Sequence, residues 1–328
     1  MDFETFKRKY EKTPVKEVEN QVSQTPLVSV CIQTYQHEEY IRRCLDGVLM
    51  QQTSFQYEIL LGEDQSNDST RKICLEYANK HPELIRLFFH DRRNNIRIGH
   101  QATGRFNFLY NIYSSRGRYI ACCEGDDYWT DSSKLQKQFD LLEANPSYSA
   151  SFHDVTVNRN TLRDNSHILF FNPDFDMNKK LVDLIDFIGS KWLVPFCSIF
   201  YRRAAFTIDE YMCKFHNGDF PMFLSLLNWG NFHFMNETMA TYTSDNRNSL
   251  TNQRNVIHRI EYELEKLSLI HANLSEFGWD DSSNKRLSEA LKNRSNRIIT
   301  LSQVLKNSRV MNLYLALYKR LGFIFNRI

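Results

Sequence analysis

The sequence has no C-x-x-C pair, no long hydrophobic run and almost no net charge. Its cysteines (Cys31, Cys44, Cys74, Cys122, Cys123, Cys197 and Cys213) are odd in number, and several sit in apolar runs. Reduced, buried thiols fit that pattern better than a disulfide framework or a zinc site. With 41 Lys+Arg against 39 Asp+Glu, no whole-chain field selects nucleic acid, so any basic function has to be local. The longest apolar stretch, Trp192 to Tyr201, holds Pro195 and Ser198 and is far too short to span a bilayer. The first residues (MDFETFKRKYEK) are charged and show no apolar h-region, so no secretory signal is expected and the expected location is the cytoplasm. No internal repeat or low-complexity tract is present. What remains is an ordinary globular composition, 42% hydrophobic and 24% charged, in a chain of 328 residues, enough for one large domain and an appendage.

Along the chain, residues 1–25 are mixed in charge and end in Thr25-Pro26, which reads as a tether. Leu27 to Ile32 is a short, β-branched apolar run, the pattern of a strand buried on both faces. Helical spacing of Tyr40, Ile41, Cys44, Leu45, Val48 and Leu49 follows, then a strand at Tyr57–Leu61, a helix from about Ser69 to Asn79, and a strand at Ile85–Phe89. A helix at Phe106–Tyr113 leads through Gly117 to a strand at Tyr119–Cys123. This β-α-β-α-β-α-β order predicts an α/β fold with a mainly parallel sheet flanked by helices. The helix carrying Leu135, Phe139, Leu141 and Leu142 ends at Asn145-Pro146. Residues 149–186 give no clear order. Phe220 to Trp229 reads as a helix with Pro221 in its first turn and Gly230 as its stop, and beyond about Thr251 the pattern is helical.

In such sheets ligands sit beyond the carboxyl ends of the strands, and two acidic clusters fall there. One is Glu124-Gly125-Asp126-Asp127. Three carboxylates within four residues repel one another unless a cation shares the site, and Mg2+ or Mn2+ is commonly held by one or two carboxylates plus substrate phosphates. The plainer alternative is a solvated turn in which Asp126 or Asp127 caps the next helix. The other cluster, Glu63-Asp64-Gln65-Ser66-Asn67-Asp68, has its own plain reading, with Asn67 or Asp68 as a helix N-cap. Glu63 and Asp64 come earlier, where a carboxylate can accept hydrogen bonds from a base N–H or ribose hydroxyls.

Taken together, Leu27–Tyr35, Glu58–Thr70 and Gly117–Gln138 resemble a family 2 glycosyltransferase of GT-A, Rossmann-like fold, of the kind that builds bacterial surface polysaccharides. The resemblance spans roughly residues 26–245. It implies that Thr34 and Tyr35 border the donor, with Tyr35 stacked on uracil. Asp64 would bind the base, with Glu63 near the ribose. Glu124-Gly125-Asp126 would stand as the D-x-D motif, with a glutamate in place of the first aspartate, and Asp126 and Asp127 on Mn2+ or Mg2+. Arg105 and Asn107 would lie where the family often places donor-binding residues. The same resemblance makes Asp219 the catalytic base, although a lone Asp before a helix is usually a cap; Asp209 and Glu210 are weaker rivals. After that helix the family commonly carries Tyr-Arg and a later His. This chain has Tyr242-Thr243, and Arg247 is the one nearby substitute.

The implied function is metal-dependent, inverting transfer of a sugar from a UDP-type donor to a hydroxyl of a glycan or lipid-linked acceptor. The alternatives are a nucleotidyl- or phosphotransferase on the same sheet, or a binding module without turnover. The domains expected are a tether (1–25), a catalytic domain (26–248) and a helical region (249–328). From Ala290 to Ile328 there is no acidic residue, while Lys292, Arg294, Arg297, Lys306, Arg309, Lys319, Arg320 and Arg327 alternate with apolar residues. Such a segment suits an anionic membrane surface, placing the protein peripherally on the inner face, or it docks on the catalytic domain or on a second subunit of an oligomer.

Overall fold

The structure, a computed structural model, describes residues 1–98, 101–158, 168–169, 180–189, 194–208, 210–215 and 218–244, and beyond these 263–266, 270, 285–293 and 295–296. Asp209, Arg247 and the basic segment from 297 onward lie outside the described residues. Among the described residues no helix is long and apolar enough to cross a membrane.

The strands are β1 (Lys16–Glu17), β2 (Val28–Thr34), β3 (Tyr57–Glu63), β4 (Ile85–Phe89), β5 (Arg97–Ile98), β6 (Gln101–Ala102), β7 (Tyr119–Glu124), β8 (Tyr128–Trp129), β9 (Tyr148–Asn158), β10 (Ile168–Leu169), β11 (Leu181–Val182), β12 (Phe200–Arg202) and β13 (Asn231–Thr243). The helices are α1 (Phe3–Tyr10), α2 (Ile41–Leu49), α3 (Thr70–Lys80), α4 (Arg105–Ser114), α5 (Lys134–Ala144), α6 (Leu184–Gly189) and α7 (Asp219–Trp229). The main sheet runs β1-β4-β3-β2-β7-β12-β9-β13-β11, with β10 on β9 and β8 on β13. Strands β4, β3, β2 and β7 are mutually parallel, as expected from the order of the elements. Beyond β7, the short antiparallel β12 joins them to a second parallel pair, β9 and β13.

Alternation along β2 divides the core. Val28, Val30 and Ile32 face α2, α3 and α5, while Cys31 faces the other layer, with Phe106 and Leu109 of α4 and Phe223 of α7. Residues 1–25, expected as a tether, carry α1. Its Phe6 is fully buried and stacks on Phe106, 5.2 Å between ring centroids, a burial that contributes about 2–3 kcal/mol. The N-terminal amine donates to the Ile208 carbonyl at 2.7 Å.

Residues 148–158, unreadable in sequence, form the long strand β9. Polar residues occupy its buried positions: Ser149 donates to the Gly230 carbonyl at 2.7 Å, and Gln138 donates to Ser151 Oγ at 3.3 Å. The effect of this layout is to bring the ends of β2, β3 and β7, the start of α4 and the start of α7 to one edge.

Candidate functional site

At the end of β2, Thr34 is buried and Tyr35 borders the cleft. Gln36 follows with φ of 55°, a left-handed turn fixed by its N–H donating to Ser66 Oγ at 2.9 Å. One face of Tyr35 is covered by Arg92, whose guanidinium carbon lies 3.7 Å from the ring centroid. The same guanidinium donates to Asp64 Oδ2 at 2.9 Å, and Asn95 Nδ2 donates to that oxygen at 2.8 Å. Burial pushes the Asp64 carboxyl up to about 6, against the opposing pull of Asn95 and Arg92. Glu63, also buried, spends one oxygen on the Ser66 N–H at 2.6 Å and the other on Arg71. It therefore shapes the loop that presents Asp64. The cap position of α3 is Ser69, neither Asn67 nor Asp68 as expected, although Asp68 accepts from the Thr70 N–H at 2.9 Å.

The acidic turn closes β7. Gly125 is required there: a Cβ would sit 2.7 Å from Thr34 Oγ1 and 2.8 Å from His37 Nδ1. One oxygen from each of Glu124, Asp126 and Asp127 lies within 4.8 Å of the other two. Glu124 opens to the cleft yet is ringed by protein. Burial first, then the charges of Asp126, Asp219 and Asp127, push its carboxyl well above the ordinary range. Asp127 is also driven upward, by burial and then by Asp126. Its Oδ1 accepts from the Thr243 N–H at 2.8 Å, whereas Oδ2 is buried without a hydrogen-bond partner, the Cys197 thiol lying near the carboxyl. Carboxyls crowded within 4.8 Å of one another, with Asp127 Oδ2 buried and unpartnered, form a donor set that fits a hard divalent cation.

Neither Asp126 nor Asp127 caps the next helix: the cap position of α5 is Ser133, whose N–H donates to Asp131 Oδ1 at 2.7 Å. Thr243, standing where the resemblance expects Arg, fastens the turn by donating from Oγ1 to the Asp126 carbonyl at 2.6 Å. The Tyr242 phenol is raised by burial and then by Asp127, Glu124 and Asp126, which places it against the cluster.

Asp219 is the first residue of α7, with Gly218 in the cap position, and its charge reaches Glu124 across the cleft. Arg105, buried at the start of α4, lies against Gly218 and donates to the Phe215 carbonyl at 2.5 Å, tying α4 to the loop that leads into Asp219. Glu210 is instead paired with Lys9 and Lys214 on the surface. One edge thus gathers Thr34, Tyr35, Asp64, Glu124, Gly125, Asp126, Asp127 and Asp219.

Sequence reading missed Arg92, Asn95 and His37. His37 Nδ1 is 3.3 Å from Thr34 Oγ1, and its Nε2 is 3.9 Å from Asp126 Oδ2. The only signal for Arg92 was its place just past the end of β4.

A family model described as glycosyl transferase family 2 matches residues 29–206. An uncharacterized protein of Mycobacterium tuberculosis is 33% identical over 215 residues, covering 66% of this chain and 58% of that protein. The uncharacterized glycosyltransferase EpsJ of Bacillus subtilis is 28% identical over 192 residues, covering 56% and 52% respectively. The chain therefore spans a little over half the length of these curated relatives. Among solved structures, S. aureus TarS 1-349 in complex with UDP-GlcNAc aligns with a TM-score of 0.60 at 14% identity, covering 89% of this chain and 79% of that one. At that identity the likeness establishes the shared GT-A fold.

Proposed function

The chain belongs to glycosyl transferase family 2 and is a glycosyltransferase, and we propose that it moves a sugar from a UDP-linked donor to a hydroxyl of a glycan or lipid-linked acceptor. The observation that carries this reading is the sharing of one cleft by the Asp64 pocket, the acidic turn and Asp219. The UDP-GlcNAc held by the structural relative TarS supports the donor class.

In this reading the base lies on the free face of Tyr35 and hydrogen-bonds to Asp64, which Arg92 and Asn95 hold in place. Asp126 and Asp127 are the residues that would hold Mn2+ or Mg2+, with Glu124 contacting either the ion through water or the ribose. A bound divalent ion supplies positive charge for the departing diphosphate. Asp219 takes the proton from the acceptor hydroxyl as that oxygen attacks the anomeric carbon from the side opposite the leaving group, which inverts the centre. Its place in the first turn of α7 favours the ionised form that a base needs. Arg105 sets the position of the Asp219 loop.

The test follows UDP release from UDP-sugars, with water as the default acceptor. Asp219→Asn is expected to lower turnover about 10²–10⁴-fold while UDP binds within about twofold of wild type. Undiminished turnover, or loss of UDP binding in step with turnover, would remove Asp219 from the role.

A further inference from the structure

Gln33 has no part in the function described so far. It precedes Thr34 on β2 and shares a sheet face with Cys31, and its register partners are Gly62 on β3 and Glu124 on β7. The residue is half-buried beside the exposed Glu124, yet both atoms of its carboxamide, Oε1 and Nε2, are shielded from solvent and have no hydrogen-bond partner. Over Gly62 stands Asn107 from α4. A Cβ on that glycine would lie 1.8 Å from Asn107 Oδ1, so only glycine leaves room for it. Asn107 Nδ2 donates to the Gly62 carbonyl at 2.8 Å, whereas its Oδ1, like the Gln33 amide, is buried and unpartnered. Buried polar groups are nearly always hydrogen-bonded, so unpartnered ones at a cleft edge await a ligand or ordered water.

Asn107 over Gly62, Gln33 and Glu124 form a row across β3, β2 and β7, running from the strand that leads into Asp64 to the strand that ends in the acidic turn. Its chemistry selects what a ligand can present there. Asn107 Oδ1 and Gln33 Oε1 only accept, Gln33 Nε2 only donates, and Glu124 is a carboxyl. Phosphate oxygens only accept and would leave both amide oxygens, Asn107 Oδ1 and Gln33 Oε1, without a donor. A hydroxyl both donates and accepts, so it can satisfy the row.

Resting on the donor reading above, we infer that the Gln33 carboxamide, with Asn107 Oδ1, is a subsite for hydroxyl groups of the donor and sets which donor binds well. Two parts of a sugar nucleotide carry such groups, the ribose and the transferred hexose, and the experiment separates them.

Calorimetric titrations of wild type and Gln33→Met with UDP, 2′-deoxy-UDP and a panel of UDP-hexoses, all in the presence of Mn2+, test the assignment. Methionine keeps the volume and removes the hydrogen bonds, so the variant should melt no lower than wild type. If it fails to fold, Gln33→Ala serves for the same comparison. Loss of about five- to tenfold in the advantage of UDP-hexose over UDP assigns the subsite to the hexose. The same loss in the advantage of UDP over 2′-deoxy-UDP assigns it to the ribose. Both advantages unchanged in the variant would overturn the inference while leaving the donor reading intact. Failure of folded wild type to bind any of these ligands would instead sink the donor reading, and the subsite with it.

Discussion

In the proposed donor site Asp64 combines a binding task with an energetic penalty, and the substitution Asp64→Asn separates the two. Its carboxyl is raised from 3.8 to about 6, with burial as the largest cause. Unfolded chains release that proton near pH 4 and the folded protein near pH 6. The folded state therefore binds more protons across this window, and wild-type stability falls as pH rises through it. A rise of that size corresponds to about 3 kcal/mol carried by the ionised form above pH 6. The asparagine side chain would not bear that penalty, but its amide competes with Asn95 Nδ2 for geometry and leaves Arg92 without its counter-charge. The expected net gain is about 1–2 kcal/mol at pH 8, shrinking towards zero near pH 4. Urea unfolding of both proteins at pH 4.5 and pH 8 measures this difference, in which the other carboxylates cancel. The same substitution removes the anionic acceptor for the base, a hydrogen bond to a charged group worth about 1.5–3 kcal/mol, so UDP affinity should drop at least tenfold. A variant less stable than wild type at pH 8, or a gain independent of pH, would refute the reasoning.

Three other outcomes follow from the geometry. Gly125→Ala drives a methyl into Thr34 and His37; overpacking of this kind costs about 1–3 kcal/mol, and displacement of the acidic turn should abolish UDP-sugar turnover, as melts and UDP-release assays would show. Lys134 is wholly buried over Trp129, and burial lowers it to about 8, so its protonated form weakens the fold below that pH. Lys134→Met should accordingly raise the melting temperature at pH 7, by less at pH 10 where wild type is neutral; equal gains at both would rule out the charge as the cause. If Asp64 holds the base as proposed, UDP binding to wild type should weaken as pH falls through about 6, where the carboxylate is protonated; titrations at pH 5 and pH 7.5 check this, and a flat profile speaks against it.

How far the sequence was readable follows from where polar residues lie. β2, β3, β4 and β7 are apolar runs separated by helical periods, so their order and the parallel half of the sheet could be read directly. β9 could not, because Ser149, Ser151, His153 and Asp154 fill buried positions on it and break the expected alternation. The acidic turn and the Glu63-Asp64 strand end were visible because strand ends locate ligands in such folds. Arg92, Asn95 and His37 were not: Arg92 and Asn95 meet Asp64, and His37 meets Asp126, only when distant parts of the chain come together. The separate fates of Glu63 and Asp64 illustrate the limit: adjacent in sequence, one carboxylate turns to Arg71 and the loop, the other to Arg92 and the cleft.

The most direct test of the proposed donor site is calorimetric titration of UDP into the folded protein with and without Mn2+, in wild type and Asp126→Asn. Tight binding that depends on Mn2+ and is lost in the variant is the expected result. Absence of UDP binding under all conditions, or binding indifferent to both Mn2+ and Asp126, would contradict it.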